Sequence, residues 1–362
     1  MSKASTTVAV SSQSLGKLRP EKSLNYHQQA SITSLDFNDS GQFLISAGVD
    51  RSIQLYDVHK GVHVKSIQSQ KYGAHIACFT HADFACLYAS TPDLESDVDH
   101  SIRHLSLADK QYIRYFKGHK QQVLNLEVHP VKDLFLSSSV DKTVKLWDTR
   151  ASTPAGNVDV GQPSLVAYDP YGIVFAVGKY SNPKSLASEG QLTLYDTKSF
   201  DKRPFLSTSV PSIPGATWTK LEFSNNGKLI LISTDAQEDY VVDAFTGKLL
   251  CVLQMTSSPY SLEHYTENWM TYKYPSSGRS CFSPCGKYVL AGSPKMSVLV
   301  FDLAAIKSSE GSNDFIQNSP TKLKPVHVLK TDHGLPKIVT FNPKLLSIAT
   351  ADNSVALWKG DD

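Results

Sequence analysis

The chain has no long apolar run, few cysteines and almost no net charge. No part of its 362 residues forms an apolar stretch approaching the length of about 18 that a membrane-spanning helix needs. The five cysteines are an odd number and no signal peptide is recognisable, so the sequence predicts a reducing intracellular compartment rather than a disulfide framework. A formal net charge of +2 gives no global field of the kind that marks nucleic-acid binders. We therefore expect neither a membrane nor a sequence-specific nucleic-acid partner.

Motifs for cofactors and for covalent chemistry are equally absent. The sequence has no glycine-rich phosphate loop and no nucleophile elbow. Cys281 and Cys285 are four residues apart, but no second pair follows them, so they do not predict a metal site. His59 and His63 flank Gly61 without a carboxylate or cysteine partner. We predict no catalytic residue, no cofactor and no metal ion.

What the chain does contain is a repeat of seven copies. Its final segment reads Asp, two variable residues, then apolar, variable, apolar and aromatic, and the best copy is Asp141–Asp148. The best copy is opened by Gly118-His119 and closed by Trp147-Asp148, which is the signature of a propeller blade. The other copies, two close and four weaker, are Asp50–Asp57, Asp352–Trp358, Glu189–Asp196, Lys295–Asp302, Asp99–Ser106 and Tyr240–Asp243.

A second unit precedes the copies, in which two apolar strands flank a short polar turn with glycine. Clear examples are Leu35–Ser46, Leu221–Ser233 and Cys281–Ser293. Glycine tolerates the positive φ of such turns, and alternating Val, Ile, Tyr and Phe suit strands packed on both faces. Residues 26–358 divided by seven give about 48 residues per unit. The sequence therefore predicts an all-β, seven-bladed WD40 β-propeller.

The ends of the sequence predict how the ring closes. The sequence stops four residues after Trp358, so the last blade lacks its outermost strand. We expect the segment Leu15–Asn25 to supply this strand, because closure removes the free sheet edge. Residues 1–14 are rich in Ser, Thr and Ala and are predicted to be a disordered tail, and residues 15–362 a single propeller domain. Deleting residues 1–25 should destabilise the fold, whereas deleting 1–12 should not.

Three insertions interrupt the repeat. They are Tyr180–Gly190, Ser257–Gly278 and Ser308–Thr321. We expect them on a face of the disc, because insertions inside a blade would break strand pairing. The second insertion is rich in aromatic residues, which often anchor a partner. A loop that packs on its own blades explains the same residues equally well.

Four side chains of the best copy predict a buried hydrogen-bonded tetrad. They are His119, a serine of the run Ser137–Ser139 that we assign to Ser139, Asp141 and Trp147. The set resembles a Ser-His-Asp triad in composition alone, because in a propeller it joins strands and is buried between them. An enzymatic propeller would need carboxylates or histidines recurring at the central channel, and we expect no such repeat-phased set. We interpret the tetrad as structural.

A zone of basic and tyrosine side chains spans the second copy and the start of the third. Interleaved cations and tyrosines can grip an acidic or phosphorylated peptide. Solvated charges on an outer strand are an equally good explanation, and the sequence does not show whether the residues converge. The candidate partner-binding residues are Lys71, Tyr72, Arg103, Arg114, Tyr115 and Lys117.

The same zone carries a family resemblance, which extends over residues 24–358. The chain resembles the WD-repeat subunit shared by COMPASS, the histone lysine methyltransferase complex, and by the fungal cleavage and polyadenylation factor. A generic WD repeat does not require segments such as Tyr-Ile-Arg-Tyr-Phe or Phe-Thr-His. The matching segments are Lys71–Gly73, Phe79–His81, Tyr112–Phe116 with Gly118-His119, Leu221–Lys228, Asp243–Gly247 and Phe341–Lys344.

The resemblance implies a non-catalytic nuclear scaffold that binds short segments of larger partners. Implied partners are the histone lysine-4 methyltransferase with other COMPASS subunits, subunits of the cleavage and polyadenylation factor, and the phosphorylated tail of RNA polymerase II. The implied roles are histone methylation, mRNA 3′-end formation and transcription termination. Two alternatives remain: a substrate adaptor of a ubiquitin ligase or another WD-repeat scaffold, and a hydrolytic or metal-dependent propeller.

Overall fold

The computed structural model describes residues 9–82, 84–91, 99–179, 189–214, 216–255, 276–306 and 320–360. Within these ranges the chain forms seven sheets of at least four strands. The prediction of an all-β, seven-bladed propeller is confirmed. No helix in the described ranges is long and apolar enough to cross a membrane. Most of each predicted insertion, residues 180–188, 256–275 and 307–319, lies outside the described residues.

The described chain begins with helix α1 (Ser12–Gly16) and strand β1 (Arg19–Leu24), and four regular blades follow. Their strands run in sequence order from the centre of the ring outwards. Blade 1 contains β2 (Ile32–Phe37), β3 (Phe43–Gly48), β4 (Ser52–Asp57) and β5 (Val62–Gln68). Blade 2 contains β6 (Ile76–Phe79), β7 (Ala85–Ala89), β8 (Ile102–Ser106) and β9 (Tyr112–Phe116). Blade 3 contains β10 (Val123–Val128), β11 (Leu134–Ser139), β12 (Thr143–Asp148) and β13 (Gly156–Asp159). Blade 4 contains β14 (Leu165–Tyr168), β15 (Val174–Lys179), β16 (Glu189–Asp196) and β17 (Leu206–Pro211).

The last three blades are less regular. Blade 5 contains β18 (Trp218–Phe223), β19 (Leu229–Thr234), β20 (Glu238–Asp243) and β21 (Leu249–Gln254). Blade 6 contains β22 (Ser280–Phe282), β23 (Tyr288–Ser293) and β24 (Ser297–Asp302), followed by a short 3₁₀ helix (Leu303–Ala305). The chain then adds β25 (Thr321–Leu323) parallel to β21, as a fifth strand of blade 5, before β26 (His327–Lys330) completes blade 6. Blade 7 contains β27 (Ile338–Phe341), β28 (Ser347–Ala351) and β29 (Val355–Lys359).

The N-terminal strand closes the ring, as predicted. Strand β1 pairs antiparallel with β29, from Arg19 opposite Lys359 to Leu24 opposite Val355. The pairing shifts register after Pro20, which lies on an outermost strand, where the missing N–H of proline is tolerated. At the centre, β27 of blade 7 contacts β2 of blade 1. The two ends of the chain therefore share one blade.

The tail predicted to be disordered ends earlier than residue 14, which corrects that boundary. Ser11 caps helix α1 in a reciprocal hydrogen-bonded arrangement with Ser14. Leu15 is fully buried among residues of blades 6 and 7, so it anchors the helix. The Ser12 hydroxyl also lies 2.9 Å from His327 Nε2. A serine-rich composition suggested disorder, but this buried anchor gives residues 11–16 a fixed place; residues 1–8 lie outside the described chain.

The apolar core consists of clusters at the junctions between neighbouring blades. Each cluster combines side chains from two blades, and together they cover all seven junctions. Trp147, Trp218 and Trp358 are the largest buried side chains of the described residues. Because a blade buries its two faces only against its neighbours, no blade is expected to be stable alone.

The strands of a blade alternate in direction, which gives the disc two distinct faces. The turns between first and second strands, and between third and fourth strands, lie on one face, which we call the back face. The turns between second and third strands, and the connections between blades, lie on the opposite front face. This division places each turn between paired strands of the described residues on one face or the other.

The innermost strands carry a repeat-phased set of carboxylates, so the expectation of none was wrong. Asp36, Glu127 and Glu222 occupy equivalent positions in blades 1, 3 and 5, where the pattern skips alternate blades. Burial raises the pKa of Asp36 to about 7 and that of Glu127 to about 8. No group of three His, Cys, Asp or Glu in the described ranges is placed to hold a metal ion. The carboxylates instead fasten neighbouring blades, by accepting hydrogen bonds from the backbone N–H groups of Phe79, Tyr168 and Phe282 respectively.

Candidate partner-binding surface

The tetrad of blade 3 is formed, with one residue corrected. His119 Nδ1 lies 2.9 Å from Asp141 Oδ2, and His119 Nε2 lies 2.6 Å from the hydroxyl of Ser137. Trp147 Nε1 donates to the same hydroxyl at 2.8 Å. Ser139, the predicted member, instead donates to Gln121 O at 3.0 Å. Trp147 pairs with Phe135, so Ser137 is its diagonal neighbour, whereas Ser139 lies two residues further along β11.

The electrostatics of this tetrad suit a structural role. Burial lowers the pKa of His119 despite its bond to Asp141, so the ring is neutral at neutral pH. Burial opposes ionisation of Asp141, but hydrogen bonds from Thr143, the Lys120 N–H and His119 outweigh it and lower the Asp141 pKa to about 2. Ser137 is fully buried. The group therefore joins strands and presents no accessible nucleophile.

Blade 1 contains a second tetrad that the sequence reasoning missed. His27 lies 3.0 Å from Asp50 Oδ1 and 2.7 Å from Ser46 Oγ, which lies 3.2 Å from the hydroxyl of Tyr56. Tyrosine here takes the place of tryptophan. The signal was available, because Asp50 and Tyr56 match Asp141 and Trp147 in the repeat, and His27 precedes the first strand of blade 1 as His119 precedes that of blade 3.

Blade 2 replaces the tetrad with a buried arginine. Arg103 stands opposite Tyr88, as Gln54 stands opposite Ser46 in blade 1, so Tyr88 occupies the place of the tetrad serine. Asp99 occupies the place of the tetrad aspartate, and Arg103 Nη2 lies 3.0 Å from it. Burial opposes ionisation of Asp99, but hydrogen bonds from Ser101 and the Arg103 charge lower its pKa.

Arg103 is fully buried, which corrects its assignment as a partner contact. Its Nη1 donates to Ser90 Oγ at 2.5 Å and to Ser101 O at 3.0 Å. Its guanidinium carbon lies 3.6 Å from the centroid of the Tyr72 ring, a cation–π contact. Arg103 therefore supports the surface from below and does not itself reach a partner.

Tyrosines cover this arginine and form the accessible part of the site. The rings of Tyr112 and Tyr115 lie 5.2 Å apart, and those of Tyr72 and Tyr112 lie 6.5 Å apart. The hydroxyl of Tyr112 lies 3.1 Å from that of the buried Tyr88. Tyr112 is 40% exposed and Ile113 is 49% exposed. These two residues had not been singled out, although they belong to the same strand as Tyr115.

The remaining predicted residues divide between two sides of the blade. Lys71 and Lys117 are exposed, and Lys71 Nζ lies 5.1 Å from the Tyr72 ring centroid. Arg114 pairs across from His104 and therefore points to the side opposite Arg103 and Tyr115, which corrects its place in the zone. The structure thus brings together a set that we call the blade 2 surface: Lys71, Tyr72, Tyr112, Tyr115 and Lys117.

The blades, their junction clusters and the buried tetrads define a WD-repeat β-propeller. The family model described as "WD domain, G-beta repeat" matches residues 18–57 and 110–148. The chain is 33% identical to "COMPASS component SWD2" of Saccharomyces cerevisiae, over 99% of this chain and 100% of the relative. It is 32% identical to "Set1 complex component swd2" of Schizosaccharomyces pombe, over 98% and 99% of the two chains. It is 35% identical to "WD repeat-containing protein 82" of Drosophila melanogaster, over 90% of each chain. The chain belongs to this family of SWD2-like WD-repeat proteins.

Proposed function

We propose that this protein is a non-catalytic scaffold subunit of a COMPASS-type histone lysine-4 methyltransferase complex, acting in the nucleus. The observation that carries the proposal is the similarity to the yeast relative named as a COMPASS component, which extends over essentially both whole chains. A rigid disc with two faces suits a subunit that positions other proteins. The histone lysine methyltransferase and other COMPASS subunits are the proposed partners.

The absence of catalysis is part of the proposal. In the described tetrads the serine, histidine and aspartate side chains bond to each other and to strands, and their serines are buried. The channel carboxylates accept backbone hydrogen bonds between blades. These groups are engaged in holding the ring together, which supports binding rather than chemistry as the protein's task.

The blade 2 surface is the proposed contact for short partner segments. Its tyrosine rings offer flat apolar area at low entropic cost, and Lys71 and Lys117 supply exposed positive charge. Neither lysine forms an ion pair in the described part of the chain. A segment that carries carboxylates or phosphates would satisfy these cations, which is the chemistry expected of a phosphorylated RNA polymerase II tail.

The sequence resemblance also supports a role in a second complex. We infer that the protein also serves the cleavage and polyadenylation factor and so takes part in mRNA 3′-end formation and transcription termination. The shared segments include Tyr112–Phe116, which form β9 of the blade 2 surface. One surface serving partners of both complexes would explain the unusual tyrosine-rich composition of this strand.

Affinity purification of the tagged protein from its own cells, with mass spectrometry, tests these proposals. Recovery of methyltransferase subunits together with polyadenylation-factor subunits is the expected result. Recovery of methyltransferase subunits alone would restrict the protein to COMPASS. A cullin-containing ligase in place of both sets would contradict the scaffold proposal and identify a substrate adaptor.

A further inference from the structure

The back face carries an apolar patch at the junction of blades 4 and 5. Four large side chains are mostly exposed there: Tyr171 at 65%, Ile173 at 61%, Phe205 at 60% and Phe245 at 73%. Tyr171 and Ile173 belong to the turn between β14 and β15, and the other two to turns between third and fourth strands. Turns do not need large apolar residues at such positions, and clustered exposed ones mark interaction sites.

Backbone contacts show that the four side chains border one continuous surface. A Cβ on Gly227 of blade 5 would lie 3.8 Å from Tyr171 Cε2 of blade 4. The next residue, Lys228, accepts a hydrogen bond from Ala244 N at 2.9 Å, which brings Phe245 beside it. The same turn reaches back to blade 4, because a Cβ on Gly247 would lie 2.9 Å from Leu206, the neighbour of Phe205. The turns that carry these side chains therefore meet across the junction of blades 4 and 5.

Exposed cations surround the patch. None of them forms an ion pair in the described part of the chain. They are Lys198, Lys202, Arg203, Lys228 and Lys248.

Three of the four carboxylates at this junction accept hydrogen bonds from backbone N–H groups. Asp169 accepts from Tyr171 N at 3.1 Å, and Asp243 accepts from Phe245 N at 2.9 Å. Asp196 accepts from Lys198 N at 2.8 Å. Asp201 is the exposed acid beside Lys202. Three of these carboxylates therefore have an oxygen occupied by a backbone N–H, whereas none of the five cations forms an ion pair in the described part of the chain.

We propose that this patch is a second docking surface, which binds a short acidic segment of a protein partner through its large apolar side chains. The proposal rests on the scaffold function, and it adds a site on the face opposite the front-face turns of the blade 2 surface. The carboxylates of such a segment would pair with the cations, and its apolar side chains would cover the exposed rings. A continuous phosphate chain suits the site less well, because the turn carboxylates lie among the cations. Two partners can then bind the disc at the same time.

Fluorescence anisotropy with defined probes tests the proposal on the purified full chain. The probe is a labelled ten-residue peptide that alternates Asp or Glu with Leu or Phe, and its controls are the same peptide with Lys for each acid and a ten-residue oligouridine. We expect the acidic peptide to bind, and the double variants Tyr171→Ser with Phe245→Ser and Lys228→Glu with Lys248→Glu to weaken it at least about tenfold. All substituted side chains are exposed, so folding should persist.

Two control variants on other blades test whether peptide binding depends on the patch of blades 4 and 5 alone. Val62→Ser with Val64→Ser removes apolar side chains of blade 1 that are 43% and 45% exposed, and Lys71→Glu with Lys117→Glu reverses charge on the blade 2 surface. Both should leave peptide binding unchanged. Failure of the acidic peptide to bind, or equal binding by the blade 4–5 variants, would overturn the proposal. Tighter binding of oligouridine that those variants abolish would overturn it in favour of a nucleic acid.

A final variant tests whether the patch binds a partner protein or a segment of this chain itself. Residues 308–319 include the sequence Asp314-Phe315-Ile316, which has the chemistry proposed for the partner. Replacing 308–319 by a glycine-serine linker of equal length should leave peptide affinity unchanged. If binding appears in that variant alone, the occupant is this segment and the partner proposal fails. The peptide assay is independent of complex recovery from cells, so its failure is distinguishable from failure of the scaffold function.

Discussion

Blades 2 and 3 are neighbours with the same strand order, but they are fastened by different chemistry. In blade 3 a neutral histidine links Asp141 to a serine hydroxyl, and this hydroxyl also accepts from an indole N–H. In blade 2 a buried guanidinium binds Asp99 and lies beneath the Tyr72 ring. Both arrangements anchor the turn between second and third strands. Of these two blades, the one whose repeat departs further from the consensus carries the partly exposed tyrosines of the blade 2 surface.

The largest expected effect comes from removing the indole of blade 3. Trp147→Ala should lower the free energy of unfolding by about 3–5 kcal/mol, because the side chain is fully buried between Phe116 and Phe135. Tyr112→Ala in blade 2 should cost less than about 1 kcal/mol, because its ring is partly exposed. Urea denaturation measures both. Equal losses would mean that the tyrosines of blade 2 are core rather than surface residues.

Arg103 should give the next largest effect. Arg103→Met should lower the free energy of unfolding by about 2–3 kcal/mol, less than for a fully buried ion pair because Asp99 is partly solvated. Arg103→Lys keeps the charge but loses the planar stacking on Tyr72 and the forked hydrogen bonds, so it should recover at most half of this loss. Thermal denaturation of the two variants gives the comparison. A lysine variant as stable as the wild type would show that charge alone fastens blade 2.

At one equivalent position of the innermost strand, blades 2 and 3 carry side chains of different charge. This difference predicts that the stability of the fold depends on pH. Blade 3 has Glu127 where blade 2 has Cys78. Burial raises the Glu127 pKa from 4.5 to about 8, so the folded state holds a proton that the unfolded state releases above pH 4.5. Stability contributed by this group is therefore present below pH 4.5 and is lost as pH rises towards 8.

Glu127→Gln removes that loss while keeping a side-chain acceptor for the Tyr168 N–H. The variant should match the wild type near pH 5 and exceed it by about 1–3 kcal/mol at pH 9. Chemical denaturation at the two pH values measures the difference, and Glu21→Gln on the exposed closing strand is the control. A difference that does not grow with pH would contradict a protonated Glu127.

The ring itself could be predicted from sequence, because its signals are local and repeated. The aromatic near the end of the third strand in five of the seven blades and the glycine turns indicate the strand order, and the missing last strand points to β1. The opposite directions of Arg114 and Tyr115 were also predictable from alternation along a strand. What sequence did not give was burial of Arg103, since arginine is rarely buried without a partner that only the folded chain supplies.

Choices between similar residues also required the structure. Ser137 and Ser139 have the same type and lie on the same side of β11, and strand register alone decides which meets Trp147. Within the described residues, the carboxylates of the innermost strands occur in blades 1, 3 and 5 only. A sequence search for a residue that recurs in every blade therefore does not find them. Leu15 holds helix α1 against blades 6 and 7, which are distant from the helix in the sequence. Local composition cannot indicate such a contact.

The central claim is that the blade 2 surface binds partners while the buried network beneath it maintains the fold. The most direct test is tandem purification of the tagged Lys71→Glu with Lys117→Glu variant, beside Lys132→Glu with Lys344→Glu, which makes the same charge change with exposed lysines of the back face. We predict that the first variant keeps the wild-type unfolding midpoint and loses most of the methyltransferase subunits, and that the control loses neither. Full recovery of those subunits by the first variant would contradict the account.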